Sequence, residues 1–441
     1  MNLPLFLARN VALGGTESIS RTIIGIAVAA VAISMATMVL ASALISGFKS
    51  EISDKIFGFW GHIHITADAA SYSIMETYNY PISNKQDFYP SLDTIGRTTV
   101  WDGGEVGLGR ESPGEKITNG GVAHIQQFIV LPGVASVYQQ GERWATQEAL
   151  IMKGIGEDYD WERFSRYIVE GEPLVITPDS SSRGIVISTI TANRLQIGVG
   201  DRIDFTYIDR NLRERPRALT VTGIYKTGME EYDRKFALVD IKQPRALLGW
   251  KDEEVGGFEV MIDDLEDLEV LSNYIHYEVL PQELYAESIR RKMDELFKWL
   301  DIQDYNFIII LGLMIVVAII NMMTALLILI LERTNMIGTL KALGQNNWSI
   351  RQIFLYYAGF IVISGLLLGN AIGLGLCRLQ KTFEFIRLDE ESYYLAVAPI
   401  RIDWITIAGL NAGTFLITLA FLIVPSYLVT RIDPVKAIRF K

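Results

Sequence analysis

The sequence predicts an α-helical membrane protein with four transmembrane helices and a large α+β extracytoplasmic domain between the first and second. The first observation is that four windows contain no Asp, Glu, Lys or Arg, although 21% of the 441 residues are charged. At about 1.5 Å per residue, each window forms a helix of roughly 40 Å, longer than the ~30 Å hydrocarbon core of a membrane. The second observation is that basic residues are unevenly distributed between the windows. The windows are residues 22–48, 305–331, 352–377 and 404–430.

The first window could instead be a secretory signal peptide, because Ala41-Ser42-Ala43 resembles a cleavage site. The apolar run before this site is much longer than the roughly 7–15 residues of a signal peptide's apolar region. Arg9 and Arg21 precede the run within residues 1–21. We therefore expect an uncleaved membrane anchor.

The distribution of basic residues predicts which segments are cytoplasmic. Residues 1–21, 332–351 and 431–441 together carry nine basic and three acidic side chains. Residues 49–304 carry 27 basic and 43 acidic side chains, and residues 378–403 carry four and five. Because short cytoplasmic loops are enriched in Lys and Arg, we predict that the first three segments, including both termini, are cytoplasmic. The domain of residues 49–304 and the loop of residues 378–403 are then extracytoplasmic.

The composition excludes several classes of protein. A chain with 50% apolar residues is neither disordered nor fibrous. A net charge of −11 argues against nucleic acid as a partner, because nucleic-acid binding requires a basic face. Cys377 is the only cysteine, so no intramolecular disulfide can form.

The large outer segment is predicted to be an α+β domain. We expect the first helix to continue outward through residues 52–57, and an apolar helical stripe over residues 284–300 to lead into the second helix. The alternative is that both are membrane-surface helices. Seven glycines over residues 101–121 predict an irregular insertion. The predicted strands are residues 61–66, 184–189, 202–208, 219–225, 235–241 and 257–262, and the predicted short helices are residues 122–131 and 190–195.

The sequence offers no catalytic or metal-binding motif. It contains no Gly-x4-Gly-Lys-Ser/Thr loop for a nucleotide phosphate, no Gly-x-Ser-x-Gly and no His-Glu-x-x-His. None of the four windows contains a carboxylate, a histidine or a basic residue, which intramembrane chemistry and ion pathways usually require. We therefore predict no catalytic residue, metal or cofactor in this chain. Asn321, Asn370 and Asn411 are predicted to form hydrogen bonds between helices.

Small residues in two of the windows predict close helix packing. Gly365, Gly369 and Gly373 recur every four residues in the third window, a spacing that lets another helix approach closely. The first window is rich in alanine, which favours close packing or a seam with a second copy of the chain. The alternative is that lipid tolerates the glycines without a partner helix.

A short amphipathic helix is predicted in the loop between the second and third windows. Ile337, Leu340, Leu343 and Trp348 could form one apolar stripe, and Gly344 is a helix stop signal. Because the chain has no ATP site, the stripe suggests a docking surface for an energy-supplying partner. The alternative is an interfacial helix without a partner.

One span, a large outer domain and three clustered spans form a layout that resembles the FtsX-like, MacB-like ABC permease superfamily. The superfamily's coupling motif resembles residues 332–344, which include Ile337-Gly338 and Lys341-Ala342-Leu343-Gly344, and its terminal motif resembles residues 433–439. Within the superfamily, the sequence resembles the lipoprotein-releasing (Lol) permeases of the LolC/LolE type. The motifs that carry this resemblance are Ser46-Gly47-Phe48, Gly154-Ile155-Gly156, residues 194–201 and residues 222–229 with Tyr232-Asp233.

The resemblance implies a permease subunit of an ATP-driven ABC complex in the bacterial inner membrane, paired with a second copy or a paralogue. It implies that lipoproteins are extracted from the outer leaflet and handed to a periplasmic carrier, without passage across the membrane. ATP and Mg²⁺ would bind a separate cytosolic ABC ATPase. Membrane lipids are the remaining expected partner. The coupling helix that would dock the ATPase comprises Ile337, Leu340, Lys341, Leu343 and Gly344.

The resemblance also implies a site for the carrier and a site for the lipoprotein. The hook loop with which family members engage a carrier falls on residues 208–218, a basic patch on an acidic domain. Its alternative is a solvated hairpin tip. The basic patch consists of Arg210, Arg213, Arg215 and Arg217. The predicted acyl contacts, with plain lipid exposure as the alternative, are Met38, Leu44 and Phe48.

Two other functions remain open at this point. One is a MacB-like exporter or mechanotransducer that drives soluble substrates out of the periplasm. The other is an FtsX-like regulator of a cell-wall hydrolase, for which a smaller outer domain without a hook is expected. A periplasmic lipoprotein carrier as partner would favour lipoprotein release over both.

Overall fold

The computed structural model describes residues 18–70, 73–102, 114–138, 146–209, 211–389 and 393–432. The chain divides into two compact units and passes from one to the other four times. The helical unit comprises Met1–Glu51, Lys298–Arg387 and Val397–Lys441, and the β-rich unit comprises Ile52–Phe297 and Leu388–Ala396.

Four helices of the described residues are long and apolar enough to cross a membrane: Thr22–Trp60, Asp294–Glu332, Asn347–Phe383 and Trp404–Arg431. Each contains one of the charge-free windows, so the prediction of four such helices is confirmed. The α-helices are α1 (Ser18–Trp60), α2 (Trp161–Phe164), α3 (Thr189–Leu195), α4 (Glu230–Lys235), α5 (Lys242–Leu248), α6 (Leu268–Tyr274), α7 (Ile289–Lys292), α8 (Asp294–Glu332), α9 (Thr334–Ala342), α10 (Asn347–Phe383), α11 (Trp404–Ser426) and α12 (Leu428–Arg431).

The glycine row of α10 lies where α1 approaches most closely. A Cβ atom at Gly365 would lie 2.7 Å from the Cβ atom of Val31. A Cβ atom at Gly369 would lie 2.6 Å from the carbonyl oxygen of Ala32, and Gly373 continues the contact one turn further along. Because lipid provides no hydrophobic driving force between helices, such close backbone contact is a main source of association in a membrane. The glycine row therefore packs against α1 of the same chain.

A pair of amides joins α10 to α11. The Nδ2 atom of Asn370 donates to Oδ1 of Asn411 over 2.7 Å, and the Nδ2 atom of Asn411 donates back over 3.2 Å. Each amide also donates to a carbonyl one turn earlier in its own helix. The predicted hydrogen bonds between helices are confirmed for these two residues, and the prediction for Asn321 stays a prediction.

The β-rich unit is built on one large sheet, as an α+β domain requires. Its strand order is β14-β1-β13-β5-β6-β11-β8-β10-β7, and β9 pairs with both β10 and β5. The strands are β1 (Ile63–Ala67), β2 (Ile82–Ser83), β3 (Thr99–Asp102), β4 (Gly114–Ile117), β5 (Val122–Val137), β6 (Thr146–Ile155), β7 (Ile168–Gly171), β8 (Gly184–Ser188), β9 (Arg202–Ile208), β10 (Glu214–Tyr225), β11 (Phe236–Asp240), β12 (Glu254–Val255), β13 (Gly257–Ile262) and β14 (Leu284–Ser288).

Six of these strands close into a ring, in the order β5-β6-β11-β8-β10-β9 and back to β5. Their inward residues, among them Leu131, Met152 and Phe205, form one buried apolar cluster with α3 and α5. Gly133 of β5 allows the ring to close, because a Cβ atom there would lie 2.3 Å from the Phe205 ring. The first half of β5 pairs with β13 instead, so this one strand joins the ring to the rest of the sheet.

The structure corrects the sequence prediction at three places in this unit. Residues 122–131, predicted to be a short helix, lie in β5; a strand buried on both faces has no alternating pattern and resembles a helix segment by periodicity alone. Leu284–Ser288, predicted to lie on a helical stripe, is a strand paired with β1. In the predicted irregular insertion, β3 and β4 pair regularly, and residues 103–113 lie outside the described residues.

The contact between α1 and α10 predicts that a larger side chain destabilises the helical unit at Gly369 but not at Gly312. We expect Gly369→Val to destabilise the helical unit by about 1–3 kcal/mol, because the added methyl groups would overlap α1. The matched control is Gly312→Val in α8, where a Cβ atom has nothing within 4 Å. The reaction of buried Cys377 with a thiol-reactive dye during heating measures unfolding. Equal midpoints for the two variants would contradict this packing.

Candidate functional site

The short helix α9 lies between α8 and α10 and ends where the sequence indicated. Gly344 follows it with a φ of +89°, a left-handed conformation that glycine adopts without strain. Of the predicted docking residues, Ile337 has no exposed surface and belongs to the core of the helical unit, while Leu340 is half-buried against that core. Ile337 is therefore an anchor of α9 and not part of an accessible docking surface.

The accessible part of this segment comprises Leu343, Gly344 and Trp348, which we call the loop surface. The side chain of Leu343 is 80% exposed and that of Trp348 is 53% exposed. Two large, exposed apolar side chains, one just after α9 and one at the start of α10, provide apolar surface suited to burial by another protein. The loop surface replaces the wider stripe that the sequence predicted.

Two cations bind the end of the last membrane helix to this segment. The Nζ atom of Lys341 lies 2.9 Å from the carbonyl oxygen of Ile432 and 3.3 Å from that of Thr430. The guanidinium of Arg351 lies 4.0 Å from the ring centroid of Tyr427, and its Nε donates to the hydroxyl of Ser426 over 3.1 Å. Lys341, predicted to contact a partner, thus joins α9 to the chain after α11.

The predicted hook is a tight hairpin between β9 and β10. Cross-strand pairing runs from Arg202↔Thr220 up to Ile208↔Glu214, which leaves residues 209–213 as the tip. Arg215 and Arg217 lie in β10, so the predicted loop of residues 208–218 is shorter than expected. Arg210 lies outside the described residues.

The hairpin tip is organised by Asp209. Its carboxylate accepts hydrogen bonds from the backbone N–H groups of Asn211 and Arg213, which hold the pKa of this carboxyl below its usual value. It also lies 3.3 Å from the guanidinium of Arg215, so one cation of the predicted basic patch is paired. Leu212, with a φ of +58°, is 85% exposed beside Arg213. Among its described residues, the tip therefore presents the apolar side chain of Leu212 and the basic side chain of Arg213.

The predicted acyl contacts divide between two faces of α1. Met38 has no exposed surface and packs among the other helices of the chain, so the prediction for Met38 is wrong in this conformation. Leu44 and Phe48 are partly exposed. They continue a stripe of residues spaced by three or four, which we call the outer stripe of α1. The outer stripe consists of Ile26, Ala29, Ile33, Thr37, Leu40, Leu44 and Phe48.

Comparison with known proteins assigns the family. The family model of the MacB-like periplasmic core domain matches residues 24–276. The chain belongs to this MacB-like family. The model of the FtsX-like permease C-terminal domain matches residues 308–434, which contain α9, α10 and α11. Together the two matches cover most of the β-rich unit and at least part of each of the four apolar helices, so this MacB-like protein is a multi-pass membrane protein.

Several curated relatives of this MacB-like protein are named as transmembrane proteins of the lipoprotein-releasing system. LolE of Haemophilus influenzae is 23% identical over 58% of this chain and 64% of its own length, and LolC of Neisseria meningitidis is 22% identical over 58% and 65%. LolC of Haemophilus influenzae is 22% identical over 72% of this chain and 78% of its own length. The predicted resemblance to the LolC/LolE type is confirmed. The chain spans about two thirds of the first two relatives.

A solved structure is similar to part of this MacB-like protein. The extracellular domain of the noncanonic ABC-type transporter YknZ from Gram-positive bacteria covers 51% of this chain and 99% of its own, at 11% identity and a TM-score of 0.30. A TM-score this low supports no conclusion about the fold.

In this MacB-like protein, α1 is tied to two other segments near Ala43 and Lys49, and the sequence analysis missed both contacts. The Nζ atom of Lys49 lies 2.9 Å from a carboxylate oxygen of Asp301 and 2.7 Å from one of Asp304, both on α8. The backbone N–H of Arg401 donates to the carbonyl of Ala43 over 3.1 Å. Opposite charges just beyond the first and second windows were the available signal for the first tie.

The hydrogen bonds of Lys341 predict how the C-terminal segment is held. We expect Lys341→Met to release the chain after Tyr427, because the carbonyls of Thr430 and Ile432 lose their charged donor. Tryptic digestion of the purified protein, followed by mass spectrometry, measures this release. We expect faster cleavage after Arg431 in the Met variant. The control is Lys341→Arg, which keeps a cationic donor. Equal cleavage of the Met variant and the unmodified protein would contradict the contact.

Proposed function

We propose that this chain is a permease subunit of an ATP-driven ABC complex that extracts lipoproteins from the outer leaflet of the bacterial inner membrane and hands them to a periplasmic carrier. The observation that carries the proposal is the similarity to lipoprotein-releasing transmembrane proteins over as much as 72% of the chain. The four windows without charge agree with it, because they provide no polar path for a substrate through the membrane.

In this proposal the β-rich unit is periplasmic and both termini are cytoplasmic. The uneven distribution of basic residues supports this orientation. A second observation supports it: Leu388–Ala396, from the loop between the third and fourth helices, groups with the β-rich unit. The Nζ atom of Lys55 donates to the carbonyl of Tyr394 within this unit, over 3.3 Å. Both segments would then lie on the same side of the membrane.

A separate cytosolic ABC ATPase, which binds ATP and Mg²⁺, would dock on the loop surface. Its exposed Leu343 and Trp348 would be buried by the ATPase, while Ile337 and Lys341 fix the surface to the rest of the helical unit. Movement of the docked ATPase would then reach α11 as well as α8 and α10, because Lys341 and Arg351 both bind the end of that helix.

Lipoprotein acyl chains would contact the outer stripe of α1, across from a second copy of the chain or a paralogue. The stripe is apolar along most of its length, and Ile26 and Ile33 are each 64% exposed. Towards the end of the first window the stripe is partly covered, because the Phe48 ring packs against that of Trp299 in α8 with 5.6 Å between the centroids. Transfer of an acyl chain out of a membrane costs about 0.8 kcal/mol per CH₂ group, so release of a lipoprotein requires external work. ATP hydrolysis in the partner would supply that work.

The carrier would bind at the hairpin tip, through Leu212 and Arg213. The apolar side chain could enter an apolar pocket of the carrier, and the guanidinium could pair with an acidic rim. Because Asp209 holds the tip in one conformation, little conformational entropy would be lost on binding.

The second candidate function is a MacB-like exporter or mechanotransducer, and the match to the MacB-like periplasmic core domain favours it. An FtsX-like regulator of a cell-wall hydrolase ranks third, because the β-rich unit is large and carries a protruding hairpin. Capture of an outer-membrane duct and adaptor, in place of a lipoprotein carrier, would indicate the exporter.

The loop surface and the hairpin tip allow a reciprocal test of partner binding. We expect Leu343→Asp to abolish copurification of the ATPase, because an aspartate cannot be buried in an apolar contact without a large desolvation cost. The matched variant is Leu212→Asp, which changes an equally exposed leucine at the hairpin. Leu212→Asp should keep the ATPase and lose the carrier in a pulldown. ATPase retained by Leu343→Asp would overturn the docking assignment.

The proposed activity is tested by depleting the protein in its bacterium. We expect lipoproteins of the outer membrane to accumulate in the inner membrane fraction, because nothing else in the complex would extract them. Quantitative proteomics of the separated membranes measures their distribution. An unchanged lipoprotein distribution, together with loss of a secreted soluble protein, would favour the exporter.

A further inference from the structure

The last turn of α1 is buried inside the β-rich unit. Phe59 and Trp60 are 2% and 1% exposed, although they end the 43-residue helix that contains the first apolar window. Gly61 stops the helix with a φ of +73°, and its N–H donates to the carbonyl of Phe57 over 2.8 Å. The chain then continues as β1, which lies between β14 and β13 in the sheet. The end of α1 is therefore part of the domain core.

A buried lysine from the centre of the sheet binds this helix end. Lys153 of β6 has no exposed surface, and its Nζ atom donates to the carbonyl of Phe59. The same Nζ atom lies 4.8 Å from the ring centroids of Phe59 and Trp60. A helix C-terminus carries partial negative charge, and aromatic faces attract cations. The ammonium of Lys153 therefore has three attractive interactions at the helix end: with the Phe59 carbonyl, with the partial negative charge of the helix C-terminus and with the two aromatic rings.

Glu259 of β13 neutralises this lysine. One of its carboxylate oxygens lies 2.7 Å from the Nζ atom of Lys153, and the other accepts a hydrogen bond from the amide of Gln126 over 2.7 Å. His64 lies 3.8 Å from the same carboxylate but is not a competing cation. Burial, together with Lys292 and Lys153 nearby, holds the pKa of His64 well below its usual value, so the ring is neutral.

Neutral His64 provides a second bond to the helix end. Its Nε2 atom lies 2.7 Å from the carbonyl oxygen of Trp60, and because a carbonyl only accepts, Nε2 carries the hydrogen. The last two carbonyls of α1 are thus each bound by a buried donor from the sheet. We call Lys153, Glu259 and His64 the joint.

A buried ion pair is weak evidence for stability, because the desolvation of two charges offsets most of their attraction, and apolar replacements of such pairs are often as stable. Its distinctive property is directional: Lys153 can bind the Phe59 carbonyl and Glu259 together only when the helix end has one position and one rotation. Apolar side chains in its place would fill the volume without fixing that position.

We propose that Lys153 and Glu259 form a positioning pair that fixes the end of α1 in the sheet, so that a displacement of α1 moves the β-rich unit with it. This role rests on the proposed function, in which ATP-driven movement of the membrane helices must reach the hairpin. Neither residue contacts substrate; both act through the helix end.

The test uses the full-length protein in lipid nanodiscs and does not depend on its activity. Lys153→Met alone would leave Glu259 buried and unpaired and could unfold the unit, so the informative variant is Lys153→Met/Glu259→Leu. We expect this double variant to keep its unfolding midpoint while the amides of residues 57–64 exchange hydrogen about tenfold faster. The matched control is Lys85→Met/Glu253→Leu, which removes an exposed ion pair of the same unit and should leave exchange unchanged.

A second measurement uses the complex with its ATPase and a lipoprotein. We expect the double variant to hydrolyse ATP at the normal rate but to release lipoprotein about tenfold more slowly, a split that a merely structural role would not produce. Unchanged exchange, or normal release despite faster exchange, would overturn the proposal. If the unmodified complex released no lipoprotein, the proposed function would fail, and the exchange result would still decide whether the pair fixes the helix end.

Discussion

Every backbone polar group of a membrane-spanning segment must find its partner within the chain, and the helical unit depends on this constraint. Long helices satisfy it along the four apolar windows, so these windows need no charged side chain and contain none. The helices are then held by close backbone contact at Gly365 and Gly369 and by one closed amide pair. Within the described part of the helical unit, Lys49, Arg351 and Lys341 make charged contacts just beyond the ends of the windows, and the proposed movement would pass through these positions.

The sequence predicted the helices better than the sheet, for a physical reason. A charge-free window of 26 or 27 residues predicts a membrane-spanning helix, because a charged side chain is very costly to bury in lipid. The half-buried strand β9 and the fully buried strand β13 were also predicted with the observed bounds. The long strand β5 was not, because the continuous apolar run at its centre does not alternate and resembles a helix segment by periodicity alone. Its partner β6 follows it along the chain, but β13 and β9 come from distant parts of the chain, and no local pattern reveals them.

The candidate sites show the same limit. Gly344 marked the end of α9 correctly, since a stop signal is a local property. An apolar stripe does not tell which of its members the chain itself covers, so Ile337 was assigned outward and lies inward. The prediction that Met38 contacts acyl chains was wrong for the same reason, because the chain's own helices cover its side chain. The hairpin tip is held short by Asp209, whose carboxylate accepts two backbone hydrogen bonds within it. Arg215, predicted to lie in the loop, therefore lies in β10.

The closed ring of six strands gives the hairpin a mechanical property. β9 and β10 are hydrogen-bonded to each other over their length, and further down β9 is bonded to β5 and β10 to β8. A pull on Leu212 away from the ring acts along the strand axes, so many hydrogen bonds resist it together in shear and cannot open one after another. Under the proposed function, a tip that binds the carrier would therefore transmit tension without peeling off its own domain.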